Sequence, residues 1–239
     1  MSIEARGLIH ILSAGAAKAV VEKLAARFTA THGVDIAPVF GAVGAMQEIL
    51  DEGAPCDVII LTTAQINALA IAGRVMTPTM RPMGAVFTGL AVRATDRKLT
   101  ATNPDELRAA LLAADGIFFP DPQKATAGIH FAKVLDQLGI ADRVASRLIT
   151  HPSGALAMRA MAESTLPTVV GCTQVTEILY TPGISFVSRL PKLFELATSY
   201  SVAVCESSAT KQFAVDFATL IGGAGSAALR RSAGFESVA

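Results

Sequence analysis

Three times within its first 72 residues the chain repeats one pattern: a short apolar run, a loop of small or hydroxyl residues, then a segment with helical apolar spacing. The first round is the strand 8–12, the turn Ser13-Ala14-Gly15-Ala16 and a helix over 17–31. Its stripe is Val20, Val21, Leu24 and Phe28, and Gly33 stops it. The second is the strand 34–40, with Val34, Ile36 and Pro38 alternating, the loop Gly41-Ala42-Val43-Gly44 and a helix over 45–52. The break Gly53-Ala54-Pro55 leads to the third: strand 57–61, Thr62-Thr63 and a helix over 64–72. Strand–helix alternation of this kind predicts an α/β fold, parallel sheets with helices on both faces. Ligands of such sheets sit at the carboxyl ends of the strands, where these small-residue loops lie.

The pattern then changes. A long apolar strand spans 83–92, and 93–98 is polar. Asn103 caps a helix with Pro104 at its first position. The apolar run 116–119 ends at Pro120 and leads through the loop 121–130 into a helix with apolar residues at 131, 134, 135 and 138, stopped by Gly139. A strand at 147–149 follows, then a helix capped by Ser153 that runs to 163, then a strand at 168–171 leading into Cys172-Thr173-Gln174. The chain returns as a strand over 200–205, a helix over 209–221 capped by Ser208, and a short helix over 226–231. The expected organisation is two α/β lobes: 1–81 with 201–239, and 82–200 inserted between them. Crossings near Arg81 and Ser199 would act as a hinge, with a ligand cleft between the lobes.

Composition narrows the function. Hydrophobic residues make up 51% of the chain and charged ones 17%, which suits a large core rather than disorder. Lys plus Arg equals Asp plus Glu, and with no Trp and two Tyr there is neither a basic stripe nor stacking aromatics, so nucleic acid is not an expected partner. No apolar run is long enough for membrane insertion. Cys56, Cys172 and Cys205 are odd in number and lack CxxC spacing, so each reads as a small buried residue rather than part of a disulfide framework or zinc site. No metal-ligand spacing occurs, and no cofactor is expected. The first apolar run is too short for a signal-peptide core, so the expected location is cytoplasmic, or periplasmic if a leader has been removed.

Several blocks resemble a known family. Ile11-Leu12-Ser13-Ala14-Gly15-Ala16, Val39-Phe40-Gly41-Ala42-Val43-Gly44-Ala45 and Pro55-Cys56-Asp57-Val58-Ile59-Ile60 are similar to the first three blocks of molybdate-type periplasmic binding proteins. The resemblance continues through Gly128-Ile129-His130-Phe131-Ala132-Lys133-Val134-Leu135 and Gly171-Cys172-Thr173-Gln174-Val175-Thr176-Glu177-Ile178. It covers nearly the whole chain and implies the two-lobe, type II periplasmic-binding-protein fold. Members that hold an oxyanion place a hydroxyl residue in each of the first two loops. Here Ala16 and Ala42 or Val43 stand at those places. The later blocks are closer to a side branch that contains an aconitate isomerase, which implies a small polycarboxylate ligand and an allylic proton transfer. The alternative is a non-catalytic solute-binding protein for a molybdate-type oxyanion or a carboxylate.

The candidate binding residues follow the loops. Backbone groups at Gly15, Gly41, Gly44 and Gly128 allow close approach of a small anionic ligand. Ser13, Ala16, Ala42, Val43 and Ser153 belong to the same junctions, and Lys18 and Lys124 offer charge. Thr62, Thr88 and Thr126 offer hydroxyls, and Gln174 an amide. For catalysis, His130 in the first turn of its helix is the candidate base, assisted by Lys124. An exposed, merely polar His130 fits the spacing equally well. His151 is a second candidate, whereas His10 reads as structural and His32 as a partner of a helix carboxyl end.

Overall fold

The computed structural model describes residues 7–97 and 99–237. Residues 1–6, Lys98 in the polar stretch and residues 238–239 lie outside the described residues. The chain divides into two compact units, Met1–Ala85 with Ser199–Ala239, and Val86–Thr198.

Unit 1 begins with β1 (Leu8–Ala14), α1 (Lys18–His32), β2 (Asp35–Gly41), α2 (Val43–Asp51), β3 (Val58–Thr62) and α3 (Thr63–Ile71). β4 (Arg81–Arg93) leaves it. Unit 2 holds α4 (Pro104–Ala113), β5 (Gly116–Pro120), α5 (Thr126–Gln137), α6 (Ala141–Val144), β6 (Leu148–His151), α7 (Gly154–Glu163), β7 (Val169–Gln174), α8 (Val175–Tyr180) and β8 (Ile184–Arg189). β9 (Ala197–Val204) re-enters unit 1, followed by α9 (Lys211–Gly222) and α10 (Ala227–Ser232).

In unit 1 the strands lie in the order β2-β1-β3-β9. β1 is parallel to β2 and to β3, as the strand–helix alternation requires, while β9 lies antiparallel to β3. Side chains alternate across the sheet. Leu12, Ile59, Leu61 and Ala203 pack against Met46 and Leu50 of α2 and Ile66 and Leu69 of α3. Ile11, Val58 and Ile60 point to the opposite face and are fully buried. α1 meets α9 where the rings of Phe28 and Phe217 stand edge to face at 5.1 Å. β2 is an edge strand, which explains both its half-exposed burial pattern and its tolerance of Pro38, which lacks a backbone N–H.

In unit 2, β5 is parallel to β6 and β7, and β4 is antiparallel to β7 and β8. One face packs Ile117, Phe119, Val170 and Cys172 against Leu107 and Leu111 of α4 and Phe131, Val134 and Leu135 of α5. The other face packs Phe118 and Val169 against Met158 and Met161 of α7 and Ile178 of α8. Helices therefore cover both faces. β8 escapes sequence reading because all six of its residues are half-buried, without the alternation that marks a strand.

One capping expectation needs correction. Ser208 does not cap α9, which starts at Lys211 with no side-chain cap at Thr210. Its hydroxyl donates instead to Asp57 Oδ1 at 2.6 Å, and His10 N–H donates to Oδ2 at 2.8 Å. Burial pushes the Asp57 carboxyl up, but the hydrogen bonds from Ser208 and His10 outweigh it and hold the group below its ordinary value.

Candidate functional site

The carboxyl ends of the parallel strands bring the loops of each unit together. In unit 1, Ala14 at the end of β1 pairs with Gly41 at the end of β2, and Ser13 pairs with Ile60 of β3. The segments 13–16, 41–44 and 62–63 therefore share one edge. In unit 2, Pro120 at the end of β5 pairs with His151 of β6, Phe118 pairs with Gly171 of β7, and Thr88 of β4 pairs with Gln174. That edge gathers Thr88, Lys124, Thr126, Gly128, His130, Ser153 and Gln174.

The helix starts at these edges fall into two kinds. α3 is capped by Thr62, whose Oγ1 accepts from Gln65 N–H at 3.3 Å and donates to Gln65 Oε1 at 2.7 Å. α7 is capped by Ser153, whose Oγ accepts from Leu156 N–H at 3.4 Å. The starts after β1, β2 and β5 have no side-chain cap, with Ala17, Ala42 and Ala125 at the cap positions, and the short α8 after β7 also lacks one, with Gln174 there. After β1 the chain first makes a 3₁₀ turn over Gly15–Ala17. The first N–H groups of an α-helix have no partner within it, and the helix dipole adds partial positive charge there.

The glycines at these starts serve a purpose other than the one the sequence suggests. Among the described residues, positive φ occurs at seven glycines, and Gly15, Gly41, Gly44 and Gly128 are not among them. Close approach is the reason for Gly128: a Cβ there would sit 2.3 Å from both Pro120 O and Asp121 O. At Gly41 the Cβ would meet only the flexible end of Met46, at 2.7 Å.

The side chains differ in how far they are engaged. Ser13 is fully buried and donates to Ala14 O at 3.0 Å. Lys18 Nζ lies 3.7 Å from Glu22 Oε1 and 5.5 Å from the centre of the Phe40 ring. Ala16 and Ala42 are buried, while Gly15, Gly41, Val43 and Gly44 are half-buried. In unit 2, Asp121 Oδ1 accepts from the N–H groups of Gln123 and Lys124 at 2.6 and 3.1 Å and so shapes the loop before α5. Lys124 is exposed and Thr126 half-buried.

His130 Nε2 lies 2.7 Å from Phe194 O. A carbonyl only accepts, so Nε2 carries the proton and Nδ1 is the basic nitrogen of the neutral ring. His151 stacks beside Phe118 with ring centres 6.4 Å apart. His10 Nδ1 sits 3.4 Å from Asp57, and His32 stacks on Phe28 at the end of α1.

Thr88 and Gln174 are buried, and Thr88 Oγ1 and Gln174 Oε1 make no hydrogen bond within the protein. Gln174 Nε2 donates to Thr198 Oγ1 at 3.4 Å. Thr176 Oγ1, at the second residue of α8, is likewise buried without a partner. Sequence reasoning missed Thr176 and Thr198; their only signal was a hydroxyl close to a strand end. An unsatisfied buried polar atom costs about 1–3 kcal/mol, so a cluster of them marks a place where an arriving ligand gains.

Glu177 lies beneath the α7 start. It accepts from Thr173 Oγ1 at 2.6 Å and from Ala155 N–H at 3.3 Å, and burial raises its carboxyl above the ordinary value of 4.5 against these bonds. Gly154 is required there, because a Cβ would collide with Thr173 and Glu177. Cys172 is fully buried, and burial pushes its thiol well up, which removes it as a nucleophile. Among the described residues no three His, Cys, Asp or Glu side chains come together as a metal set.

Comparison with known proteins places this architecture. A family model described as bacterial extracellular solute-binding protein matches residues 9–236. An aconitate isomerase from a Pseudomonas species is 25% identical over 209 residues, covering 84% of this chain and 76% of its own. The molybdate-binding protein of Escherichia coli K12 is 24% identical over 204 residues, covering 84% and 78%. Among solved structures, the periplasmic molybdate-binding protein of Azotobacter vinelandii superposes with a TM-score of 0.77 at 18% identity, over 97% of this chain and 100% of that one. The sulfate-binding protein of Mycobacterium tuberculosis H37Rv gives 0.73 at 19% identity, over 98% and 88%. The chain belongs to the bacterial extracellular solute-binding protein family. That family's description does not favour the cytoplasmic location expected from the sequence. No helix among the described residues is long and apolar enough to cross a membrane.

Proposed function

We propose that this member of the bacterial extracellular solute-binding proteins captures a small anion outside the cytoplasm, and that the anion is a carboxylate rather than molybdate. The observation that carries the reading is the division among helix starts. Thr62 and Ser153 close the starts of α3 and α7, while the starts after β1, β2 and β5 have alanines at their caps. Uncapped helix starts suit anions because their N–H groups and dipoles point at the ligand. The candidate donors at the unit 1 edge are the backbone groups of Gly15, Ala16, Gly41, Ala42, Val43 and Gly44; those at the unit 2 edge, taken by itself, are the backbone groups of Thr126 and Gly128. Lys18 and Lys124 add charge, and Thr88 and Gln174 add polar side chains.

Two considerations favour a carboxylate. Ala16, and Ala42 or Val43, supply no hydroxyl where the resemblance implies that oxyanion-binding relatives have one, and a hydrogen bond to a charged group is worth about 1.5–3 kcal/mol. Two missing donors weaken a tetrahedral oxyanion more than a planar carboxylate, which two parallel N–H groups can satisfy. The Pseudomonas relative is named for aconitate. Calorimetry against molybdate, sulfate, citrate and cis-aconitate tests the reading. The expected result is carboxylate binding at least tenfold tighter than molybdate, the ratio that one such bond implies. Tight molybdate binding without carboxylate binding reverses the order, and no binding of any anion removes the reading.

A second reading, isomerisation of an unsaturated polycarboxylate, is favoured by one observation: the bond from His130 to Phe194 O leaves Nδ1 as a base at the fifth residue of α5, in its second turn rather than the first turn expected from the sequence. Nδ1 would take a proton from the carbon between the double bond and a carboxylate. The electron pair shifts along the allyl system, and the proton returns at its far end. The Phe194 carbonyl would support the transient imidazolium through Nε2–H. Backbone N–H groups and Lys124 would stabilise the charge on the carboxylates. Replacing His130 by Gln should then lower turnover of cis- to trans-aconitate about 10²–10⁴-fold while leaving substrate affinity nearly unchanged. Absence of turnover in the unmodified protein leaves the binding reading alone.

A further inference from the structure

Two of the three cysteines meet. Cys56, in the segment before β3, and Cys205, directly after β9, are free and buried, with their sulfurs 3.5 Å apart although 149 positions separate them in the chain. Cys205 directs its S–H at Cys56 Sγ, and Cys56 donates to Val58 O at 3.3 Å. The backbone fixes the pair. Val58 of β3 pairs with Val204 of β9, and Cys205 N–H donates to Asp57 O at 2.9 Å. The third cysteine, Cys172, is in unit 2 and in a different core.

We propose that Cys56 and Cys205 are a disulfide-forming pair that closes unit 1 covalently in an oxidising compartment. Unit 1 is built from two segments distant in sequence, Met1–Ala85 and Ser199–Ala239, and this bond joins one to the other. Proteins of an extracellular family meet conditions in which disulfides form and persist. The oxidant is a protein or small-molecule disulfide. Cys56 lies just beneath the surface, between exposed Pro55 and buried Asp57, and is the more accessible of the two at 7% against 1%. Its thiolate attacks the oxidant's S–S bond, forming a mixed disulfide and releasing one thiol. The Cys205 thiolate then attacks Cys56 Sγ, forming the Cys56–Cys205 bond and releasing the second thiol. The chain loses two protons and two electrons, and the oxidant becomes two thiols.

The test uses the full chain, reduced and then equilibrated in its folded state with oxidised glutathione. The expected product has one thiol titratable in denaturant, a mass lower by two hydrogens, and a proteolytic fragment joining the Cys56 and Cys205 peptides. Closing a loop of this length should raise the unfolding midpoint by about 10 °C, reversibly with dithiothreitol. In the Cys56→Ser and Cys205→Ser variants the same treatment should leave two titratable thiols and no rise in midpoint. Three titratable thiols after equilibration, a bond that includes Cys172, or a stable glutathione adduct on Cys56 overturns the proposal. The mass and peptide readouts on the unmodified chain decide the matter even if a serine variant fails to fold.

Discussion

The two strand edges bear different equipment. At the unit 1 edge the polar side chains are already engaged: Ser13 with Ala14 O, Thr62 with α3, Lys18 with Glu22 and the Phe40 ring. Backbone N–H groups at alanine-capped starts are what remain. At the unit 2 edge the polar side chains are under-used, with Thr88, Gln174 and Thr176 each burying an atom that makes no hydrogen bond within the protein. Backbone N–H groups attract any small anion. Side-chain hydroxyls and amides with fixed positions discriminate between anions, because a ligand lacking the matching group leaves them unsatisfied. On the proposed function, the unit 1 edge is equipped for affinity and the unit 2 edge for selectivity.

Glycine substitution should separate the edges most sharply. Gly128→Ala drives a methyl into two backbone carbonyls, which cannot yield without moving α5, whereas Gly41→Ala meets only the end of Met46. Chemical denaturation should show a loss of about 3 kcal/mol for the first and under about 1 kcal/mol for the second. Equal losses would mean that the two helix starts are equally adaptable.

Adding what unit 1 lacks should come next in size. Ala42→Ser or Ala16→Ser places a hydroxyl beside the proposed donors. Molybdate affinity should rise by about 1.5–3 kcal/mol for a hydroxyl that reaches the anion, read by calorimetry. No gain from either would remove the argument from missing hydroxyls.

Removing what unit 2 offers should have a smaller, two-sided effect. Thr88→Val deletes a buried unsatisfied hydroxyl, so the free protein should become more stable by about 1 kcal/mol while ligand affinity falls roughly tenfold. Unchanged affinity would strip Thr88 of its proposed role. A fall in stability would show that the hydroxyl has a protein partner after all.

Acid and base should act with opposite sign on one buried carboxyl in each unit. Asp57 in unit 1 is held below its ordinary value of 3.8, so its stabilisation is present above that pH and lost as pH falls through the folded value. Glu177 in unit 2 is raised above 4.5, so the folded state binds the extra proton. Its contribution is full below 4.5 and is lost as pH rises through the raised folded value. Unfolding midpoints measured against pH should lose part of their acid-side slope in Asp57→Asn and part of their upper slope in Glu177→Gln. Matching profiles in the two variants would contradict the assignment.

Much of the fold was legible because the relevant signals are local. The stripe Val20, Val21, Leu24 and Phe28, the cap at Asn103 with Pro104, and the cap at Ser153 can each be read from a few neighbouring residues, and each is found where expected. The strand–helix alternation led in the same way to the α/β class, while the family came from the resemblance of whole blocks such as 11–16 and 39–45. Candidate loops could be located for the same reason, since β1 and β2 had to end together in a parallel sheet.

What the sequence by itself determined, then, is the order of elements, their apolar faces and the small residues at their ends, because helical and strand periodicities are properties of adjacent residues. Tertiary structure alone decided which distant segments meet. It set β9 antiparallel beside β3, placed Thr88 opposite Gln174, turned Ser208 from a helix cap into a partner of Asp57, and brought Cys205 to Cys56. Gly128 shows the same division at one residue: its small size is visible in the sequence, but the two carbonyls that demand it belong to Pro120 and Asp121 and exist only once α5 has packed against the end of β5. The physical reason is that pairing between remote strands is chosen by the free energy of the whole packed core, and no short stretch of chain contains that quantity.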